Sequence, residues 1–282
     1  MSLSSNKRHL NKKNKCWVLL IPFSVVTLIL VIIPLVLIIV KSFIPVDGAS
    51  VKDNWLIVDG FIWQKILLSL VLSIVATIFC MLIGYPFAYF LSFSKNKIFK
   101  AICIFIVTAP VWTSFLVKLV GLKTFFDLCA GHDNSTYGHI WTIIGLVYLY
   151  LPFMIMPLYS VLNDMPRNLV LASQDLGYSS VNTFFKVVIP YSKTALMSGI
   201  TLVFLPALTT VAVPQFLNNN NDGSMIGDII TDQGQQGLTS KIALARASTL
   251  ALVLSLVMLF GVGVYFVSKK LIKQHKLKKG IK

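Results

Sequence analysis

Long apolar runs separated by shorter polar segments are the dominant pattern of this sequence. Six runs of 23 to 28 residues are each long enough for a helix to cross a hydrocarbon layer. They cover residues 16–40, 66–93, 101–126, 140–162, 195–217 and 242–267. Because lipid offers the backbone no hydrogen-bond partner, such runs are stable as helices whose backbone groups pair internally. The pattern therefore predicts an all-α integral membrane protein with six transmembrane helices.

The polar segment 163–193, between the fourth and fifth runs, keeps an apolar pattern of its own. Apolar side chains recur there at spacings of three and four, which predicts a short helix that Gly177 ends. Ser179 or Ser180 is expected to cap a second helix, and Pro190 to end it before the next membrane helix. The apolar residues of this second helix are expected largely on one side: Val181, Phe184, Phe185 and Val188. This helix–turn–helix within residues 163–193 is called the elbow. It exposes apolar side chains that must contact lipid, the bundle or another protein.

Composition and the placement of charge support a membrane protein and orient it. The chain is 56% hydrophobic, with a mean hydropathy of +0.80, which excludes an ordinary soluble domain. Of its 25 Lys and Arg, 18 fall in four segments that would share one side of the membrane, together with only two of the ten acids: 1–15, 94–100, 163–193 and 268–282. This positive-inside pattern predicts a cell-membrane protein with both termini in the cytoplasm. The net charge of +15 then reflects contact with lipid headgroups, and no nucleic-acid partner is expected.

The same pattern divides the chain into three parts. Residues 1–65 hold the cytoplasmic N-terminus, the first membrane helix and an outer loop, and residues 66–268 form a five-helix core that includes the loop 163–193. Residues 269–282 form a basic cytoplasmic tail. The four cysteines form no C-x-x-C pair, so neither a disulfide framework nor a metal site is expected.

The elbow carries a resemblance. Residues 171–177, Leu-Ala-Ser-Gln-Asp-Leu-Gly, followed by Pro190, resemble the cytoplasmic E-A-A-x-x-x-G loop of binding-protein-dependent ABC importer permeases, a MetI-like type I architecture. Ala172, Gly177 and Pro190 match that motif. Leu171 stands in place of its Glu and Ser173 in place of its second Ala. The chain contains no glutamate at all, so Asp175 is the candidate substitute for the missing charge.

The likeness extends beyond the elbow. Residues 145–148 and 151–160, the triplet 112–114 and residues 205–208 are similar to spermidine/putrescine importer permeases, in the same order between residues 69 and 270. The resemblance implies that the loop docks on a separate ATPase. The residues it assigns to that loop are Leu171, Ala172, Ser173, Asp175, Gly177, Phe184, Phe185 and Pro190.

The resemblance also implies a set of partners. These are an ABC ATPase dimer, a second, paralogous permease, an external solute-binding protein and the membrane lipids. The chain has no G-x-x-x-x-G-K-[ST] loop, so ATP and Mg²⁺ are expected on the partner ATPase, with no cofactor on this chain. Its four histidines are scattered and form no catalytic motif, so it is not expected to be an enzyme.

A polyamine path needs oxygen acceptors for ammonium groups and aromatic faces for cation–π contact. The candidate path residues are Trp112, Thr113, Tyr148, Pro206 and Gln215. Related polyamine permeases often carry an Asp near the outer end of the fifth helix, where this chain has Gln215. The same scaffold would also suit iron or an oxyanion, and an ion-coupled secondary transporter is a further alternative, although it predicts intramembrane acids. Two cations within apolar runs, Lys118 and Arg246, are expected to snorkel toward the outer surface rather than line a path.

Overall fold

The structure is a computed structural model that describes the backbone of residues 3–46, 50–130, 138–217 and 224–279. Within these ranges it describes the side chains between residues 21 and 261, apart from residue 130. The described residues form helices and no strand. The chain divides into two compact units: Asp59–Thr231 is one, and Met1–Val58 with Asp232–Lys282 is the other.

The first unit is built on three long helices. These are α3 (Gly60–Phe93), α6 (Gly138–Asn163) and α9 (Ile189–Thr209), and the most extensive helix packing of the unit joins α6 to α3 and α9. Glycines allow the close approach: a Cβ at Gly199 of α9 would lie 2.8 Å from the Met154 sulfur of α6. Small residues at such crossings let membrane helices pack closely. The core therefore forms where α3, α6 and α9 meet.

The remaining helices of this unit are shorter. They are α4 (Lys97–Trp112), α5 (Phe115–Ala130), α7 (Arg167–Asp175), α8 (Ser180–Thr183), α10 (Ala212–Leu217) and the start of α11 (Ile226–Gln236). Gly145 marks the seat of α10 on α6, because a Cβ there would overlap the Leu217 side chain. Gly227 sits against the end of α9, where a Cβ would meet the carbonyl oxygens of Thr209 and Thr210 at 2.8 and 2.7 Å. At both positions a glycine lets a neighbouring helix approach more closely than a side chain would allow.

The other unit contains α1 (Leu3–Phe43), the short α2 (Val51–Trp55) and α12 (Lys241–Lys279). The buried hydroxyls of Ser42 in α1 and Thr249 in α12 are 3.1 Å apart, within hydrogen-bond distance. Asn54 of α2 donates to the carbonyl of Ile44 over 3.1 Å, which ties α2 to the end of α1. Ser50 and Asp53 form a capping box at the start of α2.

The predicted membrane helices are present. Five helical spans in the described residues are long and apolar enough to cross a membrane, and there are six if a bent helix pair is counted as one span. The five are Ile21–Phe43, Val51–Phe93, Gly138–Asn163, Ser180–Thr209 and Lys241–Gly261. The all-α membrane architecture is therefore confirmed. The division at residues 66 and 268 stays a prediction, as does the placement of the termini.

The predicted membrane helix over residues 101–126 is present as a bent helix pair and not as one continuous helix. The run breaks between α4 and α5, whose axes are bent by 100°. Pro110 lacks an N–H and its ring clashes with the carbonyl four residues back, which weakens the end of α4. Thr113 is extended (ψ 152°), and the Ser114 carbonyl then accepts the first bond of α5, from the Lys118 N–H. Hydropathy alone could not show this break, because the residues on both sides are apolar.

Pro190 does not end a helix, contrary to the prediction. A π-helical segment, Phe184–Val188, joins α8 directly to α9, so the chain is helical from Ser180 to Thr209. The Ile189 N–H bonds to the carbonyl of Phe184, five residues back. This wider turn relieves the clash that a proline ring makes in a regular α-helix. The fifth run ends instead at Thr209, and α10 follows as a separate helix.

Candidate functional site

A glycine with a positive φ angle shapes the elbow between α7 and α8. Gly177 has φ 83°, and it alone among the described residues shows a positive φ. Its N–H bonds to the carbonyl of Gln174 over 2.8 Å, and the Tyr178 N–H bonds to that of Ser173 over 3.2 Å. This pair of bonds is the Schellman motif that closes a helix C-terminus. The predicted turn at Gly177 is therefore present.

A buried hydroxyl pair joins the two arms of the elbow. Ser173 of α7 and Thr183 of α8 are both buried, and their side-chain oxygens are 2.7 Å apart. The Ser179 hydroxyl accepts from the Asn182 N–H over 3.3 Å, which caps α8 as predicted. The replacement of the usual second Ala by Ser173 thus adds a hydrogen bond inside the elbow.

Aromatic rings anchor the base of the elbow to α3. Phe184 packs edge-on against Tyr85 and Tyr89, with ring centroids 5.3 and 5.2 Å apart. Edge-to-face pairs of this kind add to the stabilisation from burial. The Tyr85 hydroxyl lies 2.5 Å from that of Ser192 in α9, which links the same tyrosine to the following helix. The elbow is consequently held by α3 and by its own continuation into α9.

The residues predicted for this loop separate into an outward and an inward group. The outward group is exposed and comprises Leu171, Ala172, Asp175, Gly177, Phe185 and Pro190. Ser173 is buried, and Phe184 is half-buried against the bundle. In the second arm Val188 is also buried whereas Val181 and Phe185 are exposed, so the expectation that these four apolar residues lie largely on one side is wrong. Two further apolar residues, which are not among the eight assigned to ATPase docking, are strongly exposed: Leu176 (80%) and Val181 (64%).

A second polar contact lies beside the elbow. The Lys100 ammonium of α4 donates to the carbonyl of Ser92 over 2.7 Å and to the Asn163 side chain over 2.9 Å. It therefore bridges the end of α3, the start of α4 and the end of α6. This contact brings the 94–100 segment next to the start of the 163–193 loop, so these two basic segments lie at the same end of the unit.

Comparison with known proteins decides the family. The sequence profile of the family described as "Binding-protein-dependent transport system inner membrane component" matches residues 81–274. The chain belongs to this family. The resemblance inferred from the elbow and from the residues that precede it is confirmed.

Several curated relatives of this transport-system component cover most of the chain. The "Spermidine/putrescine transport system permease protein PotB homolog" of Mycoplasma genitalium is 45% identical over 87% of this chain and 89% of its own. The protein of the same name from Mycoplasma pneumoniae is 42% identical over 87% and 89%. The Escherichia coli K12 "Spermidine/putrescine transport system permease protein PotB" is 33% identical over 81% of this chain and 90% of its own.

The candidate path residues of this family member lie on separate elements. Trp112 and Thr113 lie at the break after α4, Tyr148 on α6, Pro206 on α9 and Gln215 on α10. All five are exposed. The Pro206 carbonyl accepts from the Tyr150 hydroxyl over 3.4 Å. No hydrogen bond or ring contact joins any two of the five among the described residues, so their assignment to one path stays a prediction.

Lys118 makes a specific contact with the backbone at the break between α4 and α5. Its ammonium donates to the Pro110 carbonyl over 2.7 Å, and the expectation that the intramembrane cations snorkel toward the outer surface stays a prediction. Arg246 is half-buried in the second turn of α12. The sequence offered one signal for the Lys118 contact: Pro110 precedes it by eight residues, and the hydroxyl residues Thr113 and Ser114 precede it by five and four.

Sequence reasoning also missed a buried carboxylate. Asp228 is only 3% exposed and accepts from the Met225 N–H over 3.0 Å at the start of α11. The neighbouring Ile226 N–H donates to the Ser69 hydroxyl of α3 over 2.9 Å. An Asp at the third position of a helix is an ordinary N-terminal signal, but the burial of Asp228 depends on the docking of α11 against α3 and α9.

Proposed function

We propose that this chain forms the membrane path of an ATP-driven importer for spermidine and putrescine, and that the elbow couples it to a separate ATPase. The observation that carries the substrate is the agreement of relatives 33–45% identical over most of the chain, all named as spermidine/putrescine permeases. The family description, a binding-protein-dependent transport component, supports an importer over the ion-coupled transporter or the enzyme.

The geometry of the elbow supports the coupling role. Its outer surface carries exposed apolar side chains, among them Leu171 (56%) and Phe185 (61%). Its base is fixed to α3 through Phe184 and runs without interruption into α9. A partner that moves the elbow therefore moves α9 with it, because no loop intervenes to absorb the motion. ATP binding by the partner would close the ATPase pair and shift this lever, and hydrolysis would reset it.

The missing glutamate changes the chemistry of the docking surface. Leu171 occupies its place and is exposed, so the contact with the ATPase is apolar there. Positive charge is present nearby, since the Lys186 ammonium lies over the Tyr178 ring at 4.7 Å. Asp175 is exposed on the same arm and is the available acid.

The proposal includes the assembly and its orientation. An ABC ATPase dimer with ATP and Mg²⁺, a paralogous permease and an external binding protein complete the importer, and both termini face the cytoplasm. The distribution of Lys and Arg supports this orientation. The contact between Lys100 and Asn163, which holds two of the basic segments at one end, supports it further. Trp112, Thr113, Tyr148, Pro206 and Gln215 are the proposed path residues.

Uptake by cells tests the substrate. Cells that carry the complete importer, and matched cells that lack only this chain, are given labelled spermidine or putrescine. We expect uptake to depend on this chain and to be reduced by the unlabelled polyamines but not by iron or an oxyanion. Equal polyamine uptake in the two strains, or chain-dependent uptake of iron or an oxyanion instead, would reject the polyamine assignment.

A further inference from the structure

The break between α4 and α5 leaves a main-chain carbonyl without a helical partner. The last carbonyls of a helix have no intrahelical donor, and inside a membrane segment they need another one. The Pro110 carbonyl at the end of α4 receives two donors: the Lys118 ammonium at 2.7 Å and the Thr113 hydroxyl at 3.0 Å. The structure thus holds a primary ammonium on a carbonyl within a membrane segment.

The chemistry of that contact matches the proposed substrate. A lysine side chain is a chain of four methylenes that ends in a primary ammonium. Putrescine is the same chain with an ammonium at each end, and spermidine contains it as a segment. An acceptor that takes the Lys118 ammonium presents the group that a polyamine ammonium needs. Trp112, beside Thr113, is 84% exposed and offers an aromatic face at the same break.

We propose that the Pro110 carbonyl and the Thr113 hydroxyl form an ammonium site of the transport path, and that Lys118 occupies it until a polyamine ammonium displaces it. The inference rests on the proposed function and deepens it. When the substrate ammonium binds, it donates to the Pro110 carbonyl, and the Thr113 oxygen accepts a second of its three N–H bonds. Lys118 then leaves for the polar surface, as long lysine side chains near helix ends can.

Lys118, as a competitor tethered beside the site, should measurably weaken the binding of a free polyamine. A group held on a short tether acts at an effective concentration of about millimolar. A free polyamine therefore binds less tightly while Lys118 competes with it. The competition also keeps an ammonium on the site when the path is empty, so that the carbonyl is satisfied throughout the cycle. A permanent brace across the bend would behave differently, because its removal would weaken the fold without improving binding of any ligand.

Equilibrium binding of labelled putrescine separates these cases. The complex of the permeases with the ATPase is placed in nanodiscs without the external binding protein, so that only the membrane part binds. We expect Lys118→Gln to bind putrescine at least threefold more tightly than the wild type, and Lys118→Arg, which keeps a cation, to bind as the wild type does. Lys123→Gln is the matched control on α5, removes the same charge and should leave the dissociation constant unchanged. Adding Thr113→Val to Lys118→Gln should abolish the gain.

Each other outcome overturns the inference. Unchanged or weaker binding by a well-assembled Lys118→Gln complex would make Lys118 a brace. Lys118 would also be a brace if neither the Lys118→Gln nor the Lys118→Met complex assembled while the Lys118→Arg complex did. An equal gain in putrescine affinity with Lys123→Gln would show that the removal of one positive charge, and not the vacating of the site, causes the effect. The absence of polyamine uptake by the wild-type importer is a separate result. It would reject the polyamine as the transported substrate and would be distinct from the binding results that decide the role of Lys118.

Discussion

Gly177 has the backbone conformation that its neighbours in the elbow require. Its φ of 83° lies in the left-handed region, which residues with a Cβ adopt at a penalty of about 1–2 kcal/mol. A Cβ at this position would meet nothing within 4 Å, so the constraint is conformational and not steric. Glycine is needed here because the Schellman closure sets the angle between the two arms.

We predict that Gly177→Ala lowers transport several-fold, up to about tenfold, with a normal amount of protein in the membrane. The strained turn favours other arrangements of the elbow and so weakens its contact with the ATPase. The measurement is the initial rate of uptake, normalised to the amount of inserted chain.

Gly234→Ala is the control for this substitution. Gly234 lies inside α11, also has open space around its Cβ position and has no positive φ. Alanine there should stabilise the helix by about 1 kcal/mol and leave uptake unchanged. Wild-type uptake by Gly177→Ala would show that the turn has no coupling role.

The elbow as an element has an anchoring side and a docking side, carried by two adjacent phenylalanines. Phe184 packs on the tyrosines of α3, and Phe185 is 61% exposed. Truncation of each phenylalanine to alanine should therefore change a different property of the protein. Phe184→Ala should lower stability by about 1–3 kcal/mol, seen as a lower Tm. Phe185→Ala should leave the Tm unchanged and reduce the ATPase activity that accompanies transport.

The two variants control for each other, since both remove the same side chain one residue apart. The readouts are the Tm of the purified permease and the ATPase rate of the assembled importer. A lower Tm for Phe185→Ala with an unchanged Tm for Phe184→Ala would invert the two sides and reject this orientation of the elbow.

The sequence predicted the long helices and the glycine turn well, because both depend on local chemistry. Apolar length sets the helices, and only glycine takes the left-handed turn readily. The break between α4 and α5 at Thr113 was not predicted, and neither was the continuation of the helix across Pro190. In both places a proline acts together with a backbone adjustment, an extended residue in one and a π-turn in the other, and hydropathy contains no information on either.

The candidate site residues also divide into those that could be predicted from the sequence and those that could not. The exposed residues of the elbow belong to the set that the family resemblance assigned to docking, whereas the inward position of Phe184 and Ser173 depends on their partners in α3 and α8. The contact of Lys118 with the Pro110 carbonyl arises from the bend between two helices. It could not be predicted from a sequence in which the whole run was assigned to one membrane helix.

At the scale of the whole molecule, the charge pattern predicts which surfaces face the cytoplasm. Lys95 belongs to a basic segment at the same end as the elbow, and Lys52 belongs to the acid-containing segment after α1. Both are exposed. With the four native cysteines replaced, we expect Lys52→Cys to react with a membrane-impermeant thiol reagent in intact cells. Lys95→Cys should react only after the cells are opened, and the reverse pattern would invert the orientation.

The dependence of the whole assembly on an external ATPase is tested most directly in proteoliposomes. Labelled spermidine uptake is compared between liposomes that contain the complete importer with ATP and liposomes from which only the ATPase has been omitted, both supplied with the loaded binding protein. We predict concentrative uptake in the first and none in the second. Spermidine accumulation at the same rate without the ATPase would contradict the account.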